Sequence, residues 1–280
     1  MDKQLIDLFI KNAIAEDLGD GDHTSLSTIP AEARGRAKLI IKEAGIVAGV
    51  ELSLAIFKHI DPDLEIEVFI HDGATVKYGD IVLNVSGSAH SILLAERLVL
   101  NCMQRMSGIA TKTSEIVQTL SAFKTKLLDT RKTTPGLRYL EKWAVRIGGG
   151  VNHRIGLYDM ILIKDNHVDY AGGISNAINS ARAYLKEKAK DLQIEIEVRN
   201  LKELEEVLAT GGVDRIMLDN FSFEDLRAAI RVIDNKYITE ASGGITESNV
   251  AEYAACGVDY ISMGALTHSV KSLDMSLKAF

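Results

Sequence analysis

After Lys126 the chain settles into one rhythm. "KLLDT", "MILIK", "IEIEV", "RIMLD", "YITEAS" and "YISMG" are short apolar runs, each followed by a turn and an amphipathic helical stretch. Such alternation marks parallel βα units, because a strand and its parallel neighbour need a long crossover, usually a helix. Six units in succession, with no Gly-x-Gly-x-x-Gly after the first strand, predict a barrel-like sheet rather than an open dinucleotide-binding one.

The preceding residues follow a different rhythm. Leu5, Ile6, Phe9, Ile10, Ile14 and Leu18 recur at helical spacing within Asp2 to Leu18, and "GDGDHTS" breaks that helix, with His23 as a turn residue. The strand-like runs "AKLIIKE", "LEIEVFI" and "DIVLNVSG" surround a helical segment near Val50 to Ile60. A long helical pattern then extends from Ser91 to about Leu120, interrupted near Gly108. The expectation is an α+β domain over residues 1–110 and an α/β barrel-like domain over 111–280, with the last residues returning to the first domain.

Composition narrows the function classes. A chain of 280 residues that is 46% hydrophobic and 25% charged can bury a large core, and its net charge of −7 argues against an electrostatic grip on nucleic acid or an anionic membrane. Cys102 and Cys256 sit inside apolar or helical patterns and read as reduced, packed thiols. The N-terminal stretch interleaves charge with apolar positions, unlike a signal peptide, and no run is long enough to span a bilayer. A cytoplasmic protein is expected.

In βα barrels, side chains at the C-terminal strand ends converge on one mouth. Here those ends carry Asp129, Arg131, Lys132, Lys164, Glu197, Asp219, Glu240, Ser242 and Gly264, and burying so many ionisable groups without purpose would be costly. From Thr130 to Lys164 there are seven Lys or Arg against two Asp or Glu, a cationic island in an acidic chain. Thr134 reads as an N-cap and Pro135 as the first helical residue, which leaves Arg131 and Lys132 in the loop between strand and helix. Arg138, Lys142 and Arg146 step by four along the following helix and read as a solvated face. Arg131, Arg154 and Lys164 have no such explanation. Guanidinium forks combined with a point charge suit a ligand with more than one carboxylate.

"ASGGIT" and "MGALT" offer small residues and free backbone N–H groups ahead of helices on the last two units, where barrel enzymes commonly hold phosphate. Glu197 and Asp219 end adjacent strands; they could bind ribose hydroxyls, sit near a Mg²⁺ shell, stabilise a positive carbon centre, or form structural salt bridges with nearby lysines. No residues have zinc-site spacing, and zinc is not expected.

The blocks "EDLGDGDHTS", "ERLVLNCMQRMSGIAT", "DTRKTTPGLRYLEKWAVRIGGGVNHRIGLYDMILIKDNH", "EIEV", "MLDN", "EASGGI" and "GVDYISMGALTHS" resemble the quinolinate phosphoribosyltransferase family. The likeness runs from the first helix almost to the C-terminus and is densest from Asp129 to His167. It implies an α+β N-terminal domain packed on an incomplete, open α/β barrel. It implies a decarboxylating transferase of NAD biosynthesis that makes nicotinate mononucleotide, diphosphate and CO₂ from quinolinate and phosphoribosyl pyrophosphate with Mg²⁺. By motif, Arg131, Lys132, His153, Arg154 and Lys164 would form the quinolinate pocket, with Thr130 beside them. Glu197 and Asp219 would face the ribose, and Ser242, Gly243, Gly244, Met263, Gly264 and Ala265 would hold its 5-phosphate, with His268 nearby. Lys132, Lys164, Glu197 and Asp219 are the residues the resemblance makes catalytic, and no residue is assigned to a metal. Arg97 would reach the site of a neighbouring subunit in a homodimer with shared active sites.

The strand ending in two adjacent acids that marks the larger phosphoribosyltransferase class is missing, so the donor assignment rests on the family likeness. Two other readings stay open: an aldolase-like barrel enzyme using Lys164 as a Schiff-base lysine, and a non-catalytic phosphometabolite-binding relative.

Overall fold

The computed structural model describes residues 3–280; Asp2, where the first helical pattern opens, lies outside them. Among the described residues no helix is long and apolar enough to cross a membrane. The chain forms two compact units that interleave in sequence. One comprises the chain up to Ser114 with Thr134–Gly149 and Ser269–Phe280; the other comprises Glu115–Thr133 and Gly150–His268.

The elements of the first half are α1 (Lys3–Leu18), α2 (His23–Thr28), β1 (Arg34–Ile41), β2 (Gly45–Ile46), α3 (Val50–Ile60), β3 (Glu65–Val68), β4 (Thr75–Val76), β5 (Ile81–Ser88) and α4 (Ala89–Thr119). The second half adds β6 (Lys126–Leu128), α5 (Arg138–Ile147), β7 (Ile161–Ile163), α6 (Asp165–Ala171), α7 (Ile174–Glu187), β8 (Ile194–Val198) and α8 (Leu201–Thr210). It closes with β9 (Arg215–Asp219), α9 (Phe223–Ile233), β10 (Ile238–Ser242), α10 (Val250–Ala254), β11 (Tyr260–Ser262), α11 (Ala265–His268) and β12 (Met275–Ala279).

The first unit is built on an antiparallel sheet of order β12-β1-β5-β3. Along β1, Ala37, Leu39 and Ile41 are buried while the residues between them are not, the period-two pattern of a sheet with one covered face. Phe57, Ile10, Leu52, Leu83 and Met103 are fully buried and form its core. The last strand is held to α4 by two bonds: Leu273 N–H donates to the Gln104 carbonyl (2.9 Å), and Gln104 Nε2 donates to the Met275 carbonyl (3.0 Å).

Gly108 does not interrupt α4, contrary to the sequence expectation; the helix is continuous from Ala89 to Thr119. A Cβ at Gly108 would strike the Lys271 carbonyl, so the glycine serves a close backbone crossing. His23 likewise opens helix α2 rather than a turn, because Asp22 caps it by accepting from Ser25 N–H at 3.0 Å.

All six predicted βα strands exist, in one parallel sheet of order β6-β11-β10-β9-β8-β7. β6 and β7 follow one another in sequence yet lie at opposite edges, so the barrel is open between them. Val151 touches that gap from one side, forming an isolated parallel bridge to Leu128. β8, β9 and β10 have continuous buried stretches, as parallel strands covered on both faces require.

Candidate active site at the open barrel mouth

The registers Ser242↔Asp219 and Glu197↔Met217 put Glu197, Asp219 and Ser242 at the C-terminal ends of three neighbouring strands. Lys164 follows β7 directly, and its Nζ lies 3.5 Å from Glu197 Oε2. Burial pushes the Glu197 carboxyl up from its ordinary value; the Lys164 cation opposes this, and the Asp219 charge adds to it. His167 fixes the loop by accepting from the Lys164 N–H on Nδ1, at 2.9 Å.

Arg131 and Lys132 are exposed in the loop after β6, where Thr130 Oγ1 accepts from Lys132 N–H at 3.0 Å. The loop is tied to the last unit, because Thr267 Oγ1 donates to the Lys132 carbonyl at 2.8 Å. The Lys132 side chain crosses Gly264 so closely that a Cβ there would sit 2.8 Å from its Cδ and 3.0 Å from His268 Cδ2. Met263 is buried and anchors this turn to β6 through its N–H on the Leu128 carbonyl (3.0 Å), while Ala265 opens α11.

The glycine turn after β10 is built differently. Gly243 and Gly244 adopt φ of +89° and +61°, a region that disfavours side chains, and a Cβ on Gly243 would collide with the Asn220 side chain. Asn220, itself at φ +55°, donates from Nδ2 to Asp219 Oδ2 (2.6 Å) and from its N–H to the Ser242 carbonyl (2.9 Å). It thus ties a ribose-facing candidate to the glycine turn. Sequence reasoning passed over Asn220, although an Asn directly after a strand-end Asp is a recognisable αL residue.

His153 and Arg154 are delivered by the loop that Asp129 holds. Asp129, fully buried, accepts from Asn152 Nδ2 (2.6 Å) and His153 N–H (2.8 Å). Arg154 donates from Nη1 to the Met160 carbonyl at 3.1 Å, and burial with the nearby Arg131 cation lowers its pKa from the ordinary value while Glu195 opposes this. The ring of buried His153 faces two buried carboxyls, Glu195 at 3.0 Å and Glu240 at 3.5 Å from Nε2. Glu195 was also passed over, although it shares the strand face of Glu197 two positions away.

Several expectations are corrected. α5 begins at Arg138, after a turn in which Leu137 N–H donates to the Thr134 carbonyl; Thr134 is not its N-cap and Pro135 is not its first residue. Lys142 is buried, not solvated, because α5 is covered on several faces and Leu140 to Val145 are all buried. The glycine turn after β10 runs into a further Thr246–Asn249 turn before the short α10, rather than directly into a helix. Arg97 lies on α4 in the first unit with its side chain 72% exposed, and its Nη2 reaches Glu96 Oε1 at 3.6 Å. The two long side chains thus meet from adjacent positions.

One trio of potential metal ligands stands together among the described residues: His153, Glu195 and Glu240, with ligand atoms within 4.8 Å of one another. It does not fit Mg²⁺. The trio is buried, Arg215 Nη1 already supplies positive charge 3.1 Å from Glu240 Oε2, and Mg²⁺ keeps several waters.

Cations, carboxylates and glycine turns on the C-terminal ends of one parallel sheet define an α/β-barrel enzyme of small, multiply charged substrates. Comparison with known proteins makes the class specific. The description "Quinolinate phosphoribosyl transferase, N-terminal domain" matches residues 22–107 and "Quinolinate phosphoribosyl transferase, C-terminal domain" matches 109–278. A chloroplastic nicotinate-nucleotide pyrophosphorylase [carboxylating] of Arabidopsis thaliana is 49% identical over 284 aligned positions, covering 96% of this chain and 81% of the relative. Among solved structures, NadC from Streptococcus pyogenes superposes with a TM-score of 0.93 at 40% identity, covering 99% of this chain and 97% of that one. The nicotinate-nucleotide pyrophosphorylase from Francisella tularensis gives 0.92 at 38% identity, covering 100% and 98%. The chain belongs to the quinolinate phosphoribosyltransferase family.

Proposed function

We propose that this protein transfers the phosphoribosyl group of phosphoribosyl pyrophosphate to the ring nitrogen of quinolinate, with loss of the 2-carboxylate, in NAD biosynthesis. The observation that carries the reading is the grouping of Arg131, Arg154 and Lys164 with Glu197, Asp219 and the Gly243–Gly244 turn on one set of strand ends. The cations suit two carboxylates on one small ring. As the bond from ribose C1 to diphosphate breaks, positive charge grows on the sugar, and Glu197 and Asp219 supply the opposite charge. Once the nitrogen is ribosylated, the cationic ring accepts the electron pair of the C2–carboxylate bond, CO₂ departs and a proton takes its place. Turns at Gly243 and Gly264 and the nearby Lys132 and His268 would receive the 5-phosphate. Mg²⁺ enters on the diphosphate of the donor, as part of that substrate.

Lys164 stands against a carboxylate, which is not the cationic or apolar setting that activates a Schiff-base lysine. The protein is proposed to be cytoplasmic and to work as a homodimer in which Arg97 of one subunit serves the other's site. Support for the dimer is the exposure of Arg97 together with the family likeness. Mixing Arg97→Ala with Lys164→Ala subunits would then restore activity; exchange without recovery would disprove the shared site. The reaction itself is tested by omitting quinolinate, donor or Mg²⁺ in turn. Nicotinate mononucleotide should form only in the complete mixture, and its absence there would overturn the assignment.

A further inference from the structure

The carboxyls of Glu195 and Glu240, both completely buried, stand together beside His153, with one oxygen of each and a ring nitrogen all within 4.8 Å of one another. Two carboxylates cannot hydrogen bond to each other, since neither has a donor. Accordingly Glu195 Oε1 and Glu240 Oε1 meet no donor from the protein. Charge leads to the same point. Arg215 neutralises one carboxylate, at 3.1 Å from Glu240, and the second is offset only by the Arg154 cation, with which it forms no ion pair, so the buried pair favours a proton. His153 is poorly placed to carry it as a second ring proton, because its Nδ1 accepts from the Arg154 N–H at 2.7 Å. That contact requires Nδ1 without hydrogen and leaves a single ring proton on Nε2, which lies 3.0 Å from Glu195 Oε2 and 3.5 Å from Glu240 Oε2.

We propose that Glu195 and Glu240 hold one proton between them and are positioning residues for the quinolinate pocket, acting through His153 and Arg154. The functional half rests on the substrate reading above; the shared proton does not. With the proton present, the pair carries one negative charge, matched by Arg215. Once it is lost, a second negative charge appears beside Arg154, opposing a dianionic ligand. The charged or polar groups facing the pair come from every neighbouring strand: His153 and Arg154 from the loop before β7, Glu197 on β8, Arg215 on β9 and Ser262 on β11. The electrostatics agree, since burial and the neighbouring Glu195 charge push the Glu240 carboxyl up to about 7, and burial raises Glu195 as well.

Glu240→Gln and Glu195→Gln, which keep shape and hydrogen bonding but cannot lose a proton, test this on the full-length protein. Infrared spectra of the ligand-free wild type should show a protonated carboxylic C=O stretch at pH 6 that fades by pH 9 and is missing from either variant. At saturating donor, the wild-type KM for quinolinate should rise relative to kcat by about tenfold per pH unit above about 7, up to about 100-fold by pH 9, as obligatory binding of one linked proton requires. Whichever variant folds should flatten that rise. An infrared band unchanged in the variants, or a KM profile parallel to wild type, overturns the proposal. If the wild type does not use quinolinate but the band behaves as described, the shared proton stands and the substrate reading falls.

Discussion

Replacing Glu141 by alanine should be the most destabilising single change in the segment that carries α5. Its side chain is 1% exposed. Arg105 donates to its Oε1 from Nε at 2.8 Å and from Nη2 at 2.5 Å, and the Thr134 N–H donates to Oε2 at 3.2 Å. Hydrogen bonds to charged groups contribute about 1.5–3 kcal/mol each, and stripping one partner from a buried pair costs about 3–5 kcal/mol. Arg105 is 29% exposed and also reaches Thr134 Oγ1, so it can relax partly into water. The expected loss is therefore at the lower end, about 3 kcal/mol. With a urea dependence near about 3 kcal/mol per molar for a chain of this size, the midpoint should fall by about 1 M. Trp143, the sole tryptophan and a member of the same helix, reports the transition by fluorescence. A joint Arg105→Met, Glu141→Leu change should recover at least half of the loss, because it leaves no unpaired charge. A midpoint shift below about 0.2 M for Glu141→Ala would show that this ion pair does not organise the segment.

Three further outcomes follow from the mouth of the barrel. Lys164→Ala should leave the fold intact and weaken quinolinate use by about 100-fold in kcat/KM, the order expected for losing one charge-assisted contact in a catalytic site; unchanged kinetics would return Lys164 to a purely structural pair with Glu197. Glu197→Gln and Asp219→Asn should each lower kcat by more than they raise the quinolinate KM, since charge on the ribose develops only in the transition state; a change confined to KM would reverse the pocket assignment. Stability should also depend on the Glu240 carboxyl, which deprotonates near 4.5 when unfolded and at about 7 when folded. Between those values the native state binds more protons than the unfolded one, so its contribution is complete below the lower value and is lost as pH rises through the upper one. Up to about 3 kcal/mol should separate the two ends, a difference that Glu240→Gln removes in denaturation midpoints measured across the range. Parallel curves for both proteins would exclude this linkage.

What the residues revealed in advance follows from the strength of each local signal. The βα strands were readable because parallel strands buried on both faces appear as short continuous apolar runs, and β6 to β11 all fall where those runs lie. The open edge was not readable from pattern, since strand order depends on which edges meet, and β6 pairs with the distant β11. Gly108 looked like a helix breaker because its reason, the Lys271 carbonyl crossing α4, lies far away in sequence. Lys142 looked solvated because a step of four cations is the usual mark of an exposed face, and only tertiary covering of α5 overrides it. At the mouth, the strand-end acids and cations were legible by position, whereas Glu195 and Asn220 needed geometry. One lies a layer below the mouth and the other acts through its neighbours' backbone and carboxylate.

The most direct test of the central claim follows two leaving groups at once. Quinolinate labelled in its 2-carboxylate, supplied with phosphoribosyl pyrophosphate and Mg²⁺, should release labelled CO₂ and diphosphate in equal amounts. Both should fall together in Lys164→Ala, and nicotinic acid, which lacks the second carboxylate, should be a very poor substrate. Diphosphate release without CO₂, or nicotinic acid used as readily as quinolinate, would contradict the assignment of this mouth to a dicarboxylate and a phosphoribosyl donor.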